Sequence, residues 1–247
     1  MNSIISSPLI TISIISHGDS KKVENLVKSI GDHENLDNIQ LIVTENLAEK
    51  NTEQKPETSI YLQNKTPKGF AKNHNQAFNY VKGEYFCVLN PDIVFLEPVF
   101  KHLISHINAD RADIVSPMIV DSKNIVQDSF RELPTPQKII ARRLLRKPEV
   151  TKPSKKLSPD WLAGMFLFMR ADTFKELGGF DERYFLYFED VDFCVRARFA
   201  GLKLLLDPAL KVQHDAHRGS QHSIKYLFWH LQSAWRFFTS TTYQKAK

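Results

Sequence analysis

Residues 9–15, Leu-Ile-Thr-Ile-Ser-Ile-Ile, form an apolar, β-branched run that predicts a buried strand. The run stops at Ser16-His17-Gly18-Asp19-Ser20, a small polar loop able to cap a following helix. Similar units recur. Residues 39–44 and 60–62 read as strands, 76–81 as a helix, 85–89 as a buried strand, 100–107 as a helix and 114–119 as another strand. Strands alternating with helices predict a mostly parallel sheet covered on both faces. In such an α/β fold ligands lie beyond the carboxyl ends of the strands. The loops at 16–20, 44–47, 64–75 and 90–92 should therefore meet at one crevice.

The pattern breaks between Pro134 and Pro159. Prolines and cations mark residues 137–157 as a basic irregular excursion, with a short amphipathic helix expected over 138–147. An apolar stretch at 161–169, a Gly178-Gly179 turn and a helix over 190–200 follow. One domain over 1–220 and a C-terminal amphipathic helix with a basic tail over 221–247 are expected. In that helix Ile224, Leu227, Phe228, Leu231, Trp235 and Phe238 form one stripe that should pack on the domain, leaving Tyr226, Trp229 and Phe237 off it.

Composition narrows the class. Of 247 residues 42% are hydrophobic, with 17 Phe, enough for a substantial core. Cys87 and Cys194 lie far apart in apolar stretches, without a ligand or redox spacing. The uncharged start lacks a secretory pattern and no apolar run approaches the length of a spanning helix, so a cytoplasmic location is expected. The net charge of +5 is unevenly placed. Residues 137–156 carry eight Lys or Arg against Glu149 alone, and residues 221–247 carry four against no acid, so the remaining body is acidic. A continuous nucleic-acid groove is disfavoured.

Three clusters carry candidate chemistry. Asn90-Pro91-Asp92 places a carboxylate after a buried strand, suited to a hard cation such as Mg²⁺ or Mn²⁺, although Asn and Asp there also suit a plain turn. Glu189-Asp190-Val191-Asp192 opens a helix after Phe185-Leu186-Tyr187-Phe188. One acid suffices for capping; three crowded among aromatics raise a pKa toward that of a general base. His214-Asp215-Ala216-His217 offers a metal ligand or an ordinary surface histidine. Gly69-Phe70-Ala71-Lys72-Asn73-His74-Asn75 adds a glycine turn entering a helix, where amides can hold phosphate or sugar oxygens. Neither GxGxxG nor a P-loop occurs.

In this order the clusters resemble the family 2 glycosyltransferases, in particular the rhamnosyltransferase-like branch of bacterial surface polysaccharide synthesis. The most specific run is Gly178-Gly179-Phe180-Asp181-Glu182 through Glu189-Asp190-Val191-Asp192-Phe193-Cys194-Val195-Arg196, similar to the family's GGFDE and ED-D-C-R signature. The resemblance implies a GT-A (Rossmann-like) fold and an inverting transfer with a divalent cation, Mg²⁺ or Mn²⁺. It implies Asp92 and His214 at the metal, Asp190 as catalytic base with Glu189 and Asp192 in support, and Trp161 and Gly164 on the acceptor side. Ser16, His17, Glu45, Gly69, Asn73, Asn75 and Asn90 fall on the donor side. Asn90 stands where a full DxD has its first acid, and Glu45 where the family usually has Asp.

The expected partners are a nucleotide-diphosphate sugar, with dTDP-rhamnose first, and a saccharide acceptor, lipid-linked and met at an anionic membrane surface on the inner face of the plasma membrane; no nucleic acid is expected. Two alternatives stand beside this: a nucleotidyltransferase on an α/β sheet, and a non-catalytic module binding membrane or nucleic acid.

Overall fold

The computed structural model describes residues 9–47, 59–139, 158–214 and 224–246. Most of the basic excursion, with its expected helix, and residues 215–220 after His214 lie outside them. The organising element is an eight-stranded sheet of order β3-β2-β1-β4-β9-β6-β10-β5. Strands β1 (Ile10–Ser16), β2 (Ile39–Glu45), β3 (Ser59–Gln63) and β4 (Tyr85–Leu89) run parallel. Strand β9 (Phe166–Arg170) is antiparallel to both β4 and β6 (Ile114–Val120). One reversed strand inserted between two others restores the direction, so β10 (Leu204–His214), parallel to β6, ends on the same edge as β4. The short β5 (Ile93–Phe95) returns antiparallel to β10. A two-stranded ribbon pairs β7 (Phe130–Arg131) with β8 (Trp161–Leu162).

The side-chain period of two decides what each face meets. Ile10, Ile12 and Ile14 of β1 join Tyr85, Cys87 and Leu89 of β4 beneath helices α1 (Ser20–His33) and α3 (Phe100–Asn108). Phe86 and Val88 face the other way, toward α2 (Phe70–Phe78), α4 (Ala171–Glu176) and α5 (Glu189–Phe199). The face of β1 toward α2 is polar yet dry. Thr11 bonds Gln40, and Ser13 Oγ lies 2.8 Å from Nδ1 of the buried His74. Burial lowers the pKa of His74 to about 3, so the ring is neutral and serves as a packing group against Phe70 and Phe180.

The expected helix at 76–81 in fact begins at Phe70, directly after Gly69, and ends at Phe78. Its inward positions are Ala71, Asn73, His74 and Ala77, so the buried face carries little of the apolar signal that periodicity detects. The stretch 161–169 divides into β8, a turn and β9, and β10 is an eleven-residue strand.

A third apolar cluster lies under α6 (Ile224–Phe238) and α7 (Thr241–Ala246). Here the expected packing face is corrected: Phe238 packs on the cluster as expected, but Ile224, Phe228, Leu231 and Trp235 are exposed, and Trp229, Ser233, Ala234 and Phe237 face inward. The surface that α6 meets is the loop 185–188, which offers ring faces and the Leu186 carbonyl. Trp229 packs on Phe185 at 4.6 Å and Ser233 donates to the Leu186 carbonyl at 2.9 Å. Partly polar residues satisfy that surface and an aliphatic stripe does not.

Gly83 tests the seam between α2 and the sheet. A Cβ there would lie 2.6 Å from the Thr11 nitrogen, and its own N–H bonds Thr11 Oγ1. Gly83→Ala should cost about 1–3 kcal/mol of stability. Urea unfolding measures it, and an unchanged midpoint would show that the seam yields.

Candidate active site

The carboxyl ends of β1 and β2 are tied by Glu45, whose Oε1 accepts from the N–H groups of Gly18 (3.0 Å) and Leu47 (3.3 Å). Gly18 has φ of 81°, which a residue with a Cβ would resist. Ser16 is buried and its Oγ accepts from the Asp19 N–H at 3.3 Å; His17 is exposed beside Asn46.

Asn46, which the sequence reading passed over, is the hub of this corner. Its amide accepts from the Lys68 N–H and donates to the Lys68 carbonyl, both at 2.8 Å, holding the chain just before Gly69. Asn64 Nδ2 donates to Asn46 at 2.8 Å and to Asn73 at 2.7 Å. Asn73 is therefore wholly buried within an asparagine network at the ends of β2 and β3. Asn75 is engaged elsewhere: it accepts from the Phe180 N–H at 2.9 Å and donates to the Phe180 carbonyl at 2.8 Å, pinning the Gly178-Gly179 turn. The only sequence signal for Asn46 and Asn64 is an amide residue immediately after a strand.

At the ends of β4 and β10, His214 Nε2 lies 3.0 Å from Asp92 Oδ1. Neither Asp92 Oδ1 nor His214 Nδ1 has an aligned hydrogen bond, and both are buried atoms. Lys22 Nζ approaches the other carboxylate oxygen at 3.9 Å. Burial alone would raise the Asp92 pKa, but His214 and Lys22 outweigh it and hold the carboxyl below its usual range. Among the described residues no group of three or more His, Cys, Asp or Glu converges on a metal position.

The second acid cluster sits at the start of α5, after Tyr187 (φ 70°) and Phe188 (φ 69°), two consecutive left-handed residues that are not glycine. Each such residue costs about 1–3 kcal/mol unless the surroundings impose it. The surroundings do: the Phe70 N–H donates to the Phe185 carbonyl at 2.9 Å, Ser233 holds Leu186, and Phe188 packs on Phe237 at 5.5 Å. Gly69 permits the first contact, since a Cβ there would lie 2.5 Å from the Phe185 oxygen.

This loop presents two unequal carboxyls. Asp190 is served by the N–H groups of Val191 (2.8 Å) and Gly164 (3.0 Å). Glu189 is 4% exposed and its Oε2 has no hydrogen-bond partner. Burial, reinforced by the charge of Asp190, pushes Glu189 well above the carboxylate range; burial also raises Asp190, but its amide donors oppose the rise. The amide donors thus favour the charged form of Asp190, and nothing comparable does so at the inner oxygen of Glu189. Asp192 points into a different set of contacts: it pairs with Arg196 at 2.7 Å, and Arg196 binds the carbonyls of Leu177 and Gly179.

Two hydrogen bonds one residue apart join the acid loops. Asn90 N–H donates to the Met165 carbonyl at 3.0 Å, and the neighbouring Gly164 N–H reaches Asp190. Asn90, Gly164, Asp92, His214, Glu189 and Asp190 are thereby brought to one edge, while Trp161, on the ribbon, bonds the Glu132 carbonyl through Nε1 at 3.2 Å.

Parallel strand ends with one carboxylate beside β10 and another on a separate late loop are the arrangement of an α/β enzyme of the GT-A glycosyltransferase type. The chain belongs to glycosyl transferase family 2, whose model matches residues 11–178. It is 28% identical over 246 residues to "Rhamnosyltransferase WbbL" of Escherichia coli, spanning 93% of this chain and 92% of that one. It is 30% identical over 167 residues to "N-acetylglucosaminyl-diphospho-decaprenol L-rhamnosyltransferase" of Mycobacterium tuberculosis, covering 62% of this chain and 54% of that protein. The fold is similar to that of GalNAc-T7 crystallised with UDP, GalNAc and Mn²⁺, with TM-score 0.64, 16% identity, and 84% of this chain and 43% of that one covered. It is also similar to S. aureus TarS 1–349 in complex with UDP-GlcNAc, with TM-score 0.60, 14% identity and coverage of 94% and 67%.

The raised Glu189 has a measurable signature. A carboxyl whose folded pKa lies above its ordinary value of 4.5 contributes stability that is complete below that pH and is lost as pH rises through the folded value. Glu189→Gln cannot ionise, so its melting temperature should climb relative to the native chain as pH rises from 4.5 toward neutrality. A gap that stays constant over that range would show Glu189 to be paired.

Proposed function

We propose that this enzyme transfers L-rhamnose, from dTDP-rhamnose, to a hydroxyl of a lipid-linked saccharide with inversion at the anomeric carbon. The rhamnosyltransferase relatives support the sugar, and the decaprenol-linked name of one supports the acceptor class. Family membership sets aside the nucleotidyltransferase and binding-module alternatives. The acceptor would be met at the inner face of the plasma membrane.

The observation that carries the mechanism is the inequality of Glu189 and Asp190. Asp190, ionised and oriented by the amides of Gly164 and Val191, takes the acceptor's proton as its oxygen attacks. Glu189, protonated behind it, leaves that charge undivided. Asp192 and Arg196 support the base indirectly, by fixing the glycine turn before its loop. On the donor side Glu45 and Asn46 shape the nucleoside corner, and Asn73 and Asn75 act through the backbone they hold.

Asp92 and His214 fit a divalent cation. Asp92 Oδ1 and His214 Nε2 would hold it: they lie 3.0 Å apart, and Asp92 Oδ1, a buried atom, makes no aligned hydrogen bond. Magnesium-like ions take few protein ligands and complete their shell with phosphates and water, so two suffice. When bound, the cation offsets charge on the leaving diphosphate. Mn²⁺ in the GalNAc-T7 structure supports the assignment.

Asp190→Asn should melt like the native chain and lose transfer by a factor on the order of 10² or more. Near-native turnover would move the base to Glu189. For the cation, Mn²⁺ binding followed by electron paramagnetic resonance with dTDP present should weaken in Asp92→Asn and in His214→Ala, and EDTA should abolish transfer. A His214→Ala enzyme with native Mn²⁺ affinity removes that residue from the site. Thermal-shift comparison of nucleotide sugars with Mn²⁺ identifies the donor, since a true ligand stabilises by mass action; a larger shift with UDP-sugars than with dTDP-rhamnose overturns the choice.

A further inference from the structure

The inner face of α6 grips the loop before Asp190, and its outer face is left without a protein neighbour among the described residues. Ile224, Phe228, Leu231 and Trp235, spaced four, three and four apart, lie on one stripe and are 85%, 61%, 55% and 70% exposed. Four large apolar side chains in a row on a helix that already packs by its other face are not needed for folding. They mark a surface that meets something else.

The charge around the stripe identifies the occupant. Lys225 lies over the Trp229 ring at 4.9 Å, Arg236 adjoins Trp235, and Lys245 follows on α7. Residues 221–247 contain no acid. A second copy docked stripe to stripe would set these cations against their own mates, with no carboxylate on either helix to pair them. The stripe is also small: a stable protein interface takes about 20–30 residues a side. An anionic bilayer supplies the missing counter-charge and accepts apolar side chains without a complementary pocket. No helix among the described residues is long and apolar enough to cross a membrane, which leaves α6 lying in the interfacial plane. Trp235 is the aromatic type favoured at headgroup depth.

We propose that the outer face of α6 docks the enzyme on an anionic lipid bilayer through Phe228, Leu231 and Trp235, with Lys225 and Arg236 at the headgroups. The proposal rests on the reading of the acceptor as lipid-linked and gives that reading its geometry. Trp229, His230 and Ser233 touch the loop 185–188 from the opposite side of the same helix. Docking therefore holds the carboxyl that receives the acceptor's proton roughly one helix diameter, ~10 Å, from the headgroups.

The test uses the full chain and vesicles of phosphatidylcholine with or without phosphatidylglycerol. The chain should co-sediment with the anionic vesicles at low salt, and less with the neutral ones. The double variant Phe228→Ser, Trp235→Ser should keep the native melting temperature, since both residues are exposed, and lose vesicle binding at least tenfold. Lys225→Gln should weaken binding severalfold and flatten its salt dependence. Absence of binding to anionic vesicles, or binding unchanged in the double variant, overturns the proposal. So does sedimentation velocity showing a dimer that the double variant dissolves, which would give the face to a second copy. Transfer to a soluble saccharide, measured without vesicles, separates the two readings. If transfer is intact and vesicle binding absent, only the docking face falls; if transfer from dTDP-rhamnose is absent and vesicle binding intact, only the donor and acceptor assignment falls.

Discussion

The short loop of residues 185–188 governs this molecule. Its two left-handed residues are unfavourable in isolation, and they persist because α2, α6 and the third apolar cluster each hold one part of the loop. The reward is directional. A chain entering α5 by an ordinary extended cap would aim its first carboxyls outward, whereas this entry buries Glu189 and turns Asp190 toward the amide of Gly164. The unequal hydrogen bonding of the pair follows from that placement, because one carboxyl receives amide donors and the other receives none at its inner oxygen.

The sheet solves a related problem of approach. Asp92 and His214 are more than a hundred residues apart in sequence, yet one antiparallel strand, β9, inserted between two parallel groups lets β4 and β10 finish on the same edge. The hydrogen bond from Asn90 to Met165, beside that from Gly164 to Asp190, then carries the register of the sheet across to the acid loop. The two acid loops are thus coupled through the backbone of residues 164–165.

Much of this was legible in the sequence. The β-branched runs located β1, β2, β4 and β6, and the ordered clusters around Asp92, Asp190 and His214 named the loops that the sheet assembles. What escaped shares a physical character. The start of α2 is hidden because its buried face is Asn73 and His74, polar groups bonded to Asn64 and Ser13, and no hydrophobic period marks them. Asn46 was missed because its importance lies in two bonds to the distant Lys68 backbone. Of the apolar stripe of α6, Phe238 packs inward, whereas Ile224, Phe228, Leu231 and Trp235 do not, because the loop that the helix meets takes a hydroxyl and rings.

The contact between Gly69 and Phe185 has an evolutionary corollary. Helix α2 and the loop before α5 meet there backbone to backbone, with no side chain between them to be trimmed or repacked. Recombination that joined the first half of one relative to the second half of another would inherit this seam whole or not at all. Residues on either side of it can diversify, but a chimera tolerates the exchange only where glycine stands at position 69, because any Cβ there would meet the Phe185 oxygen.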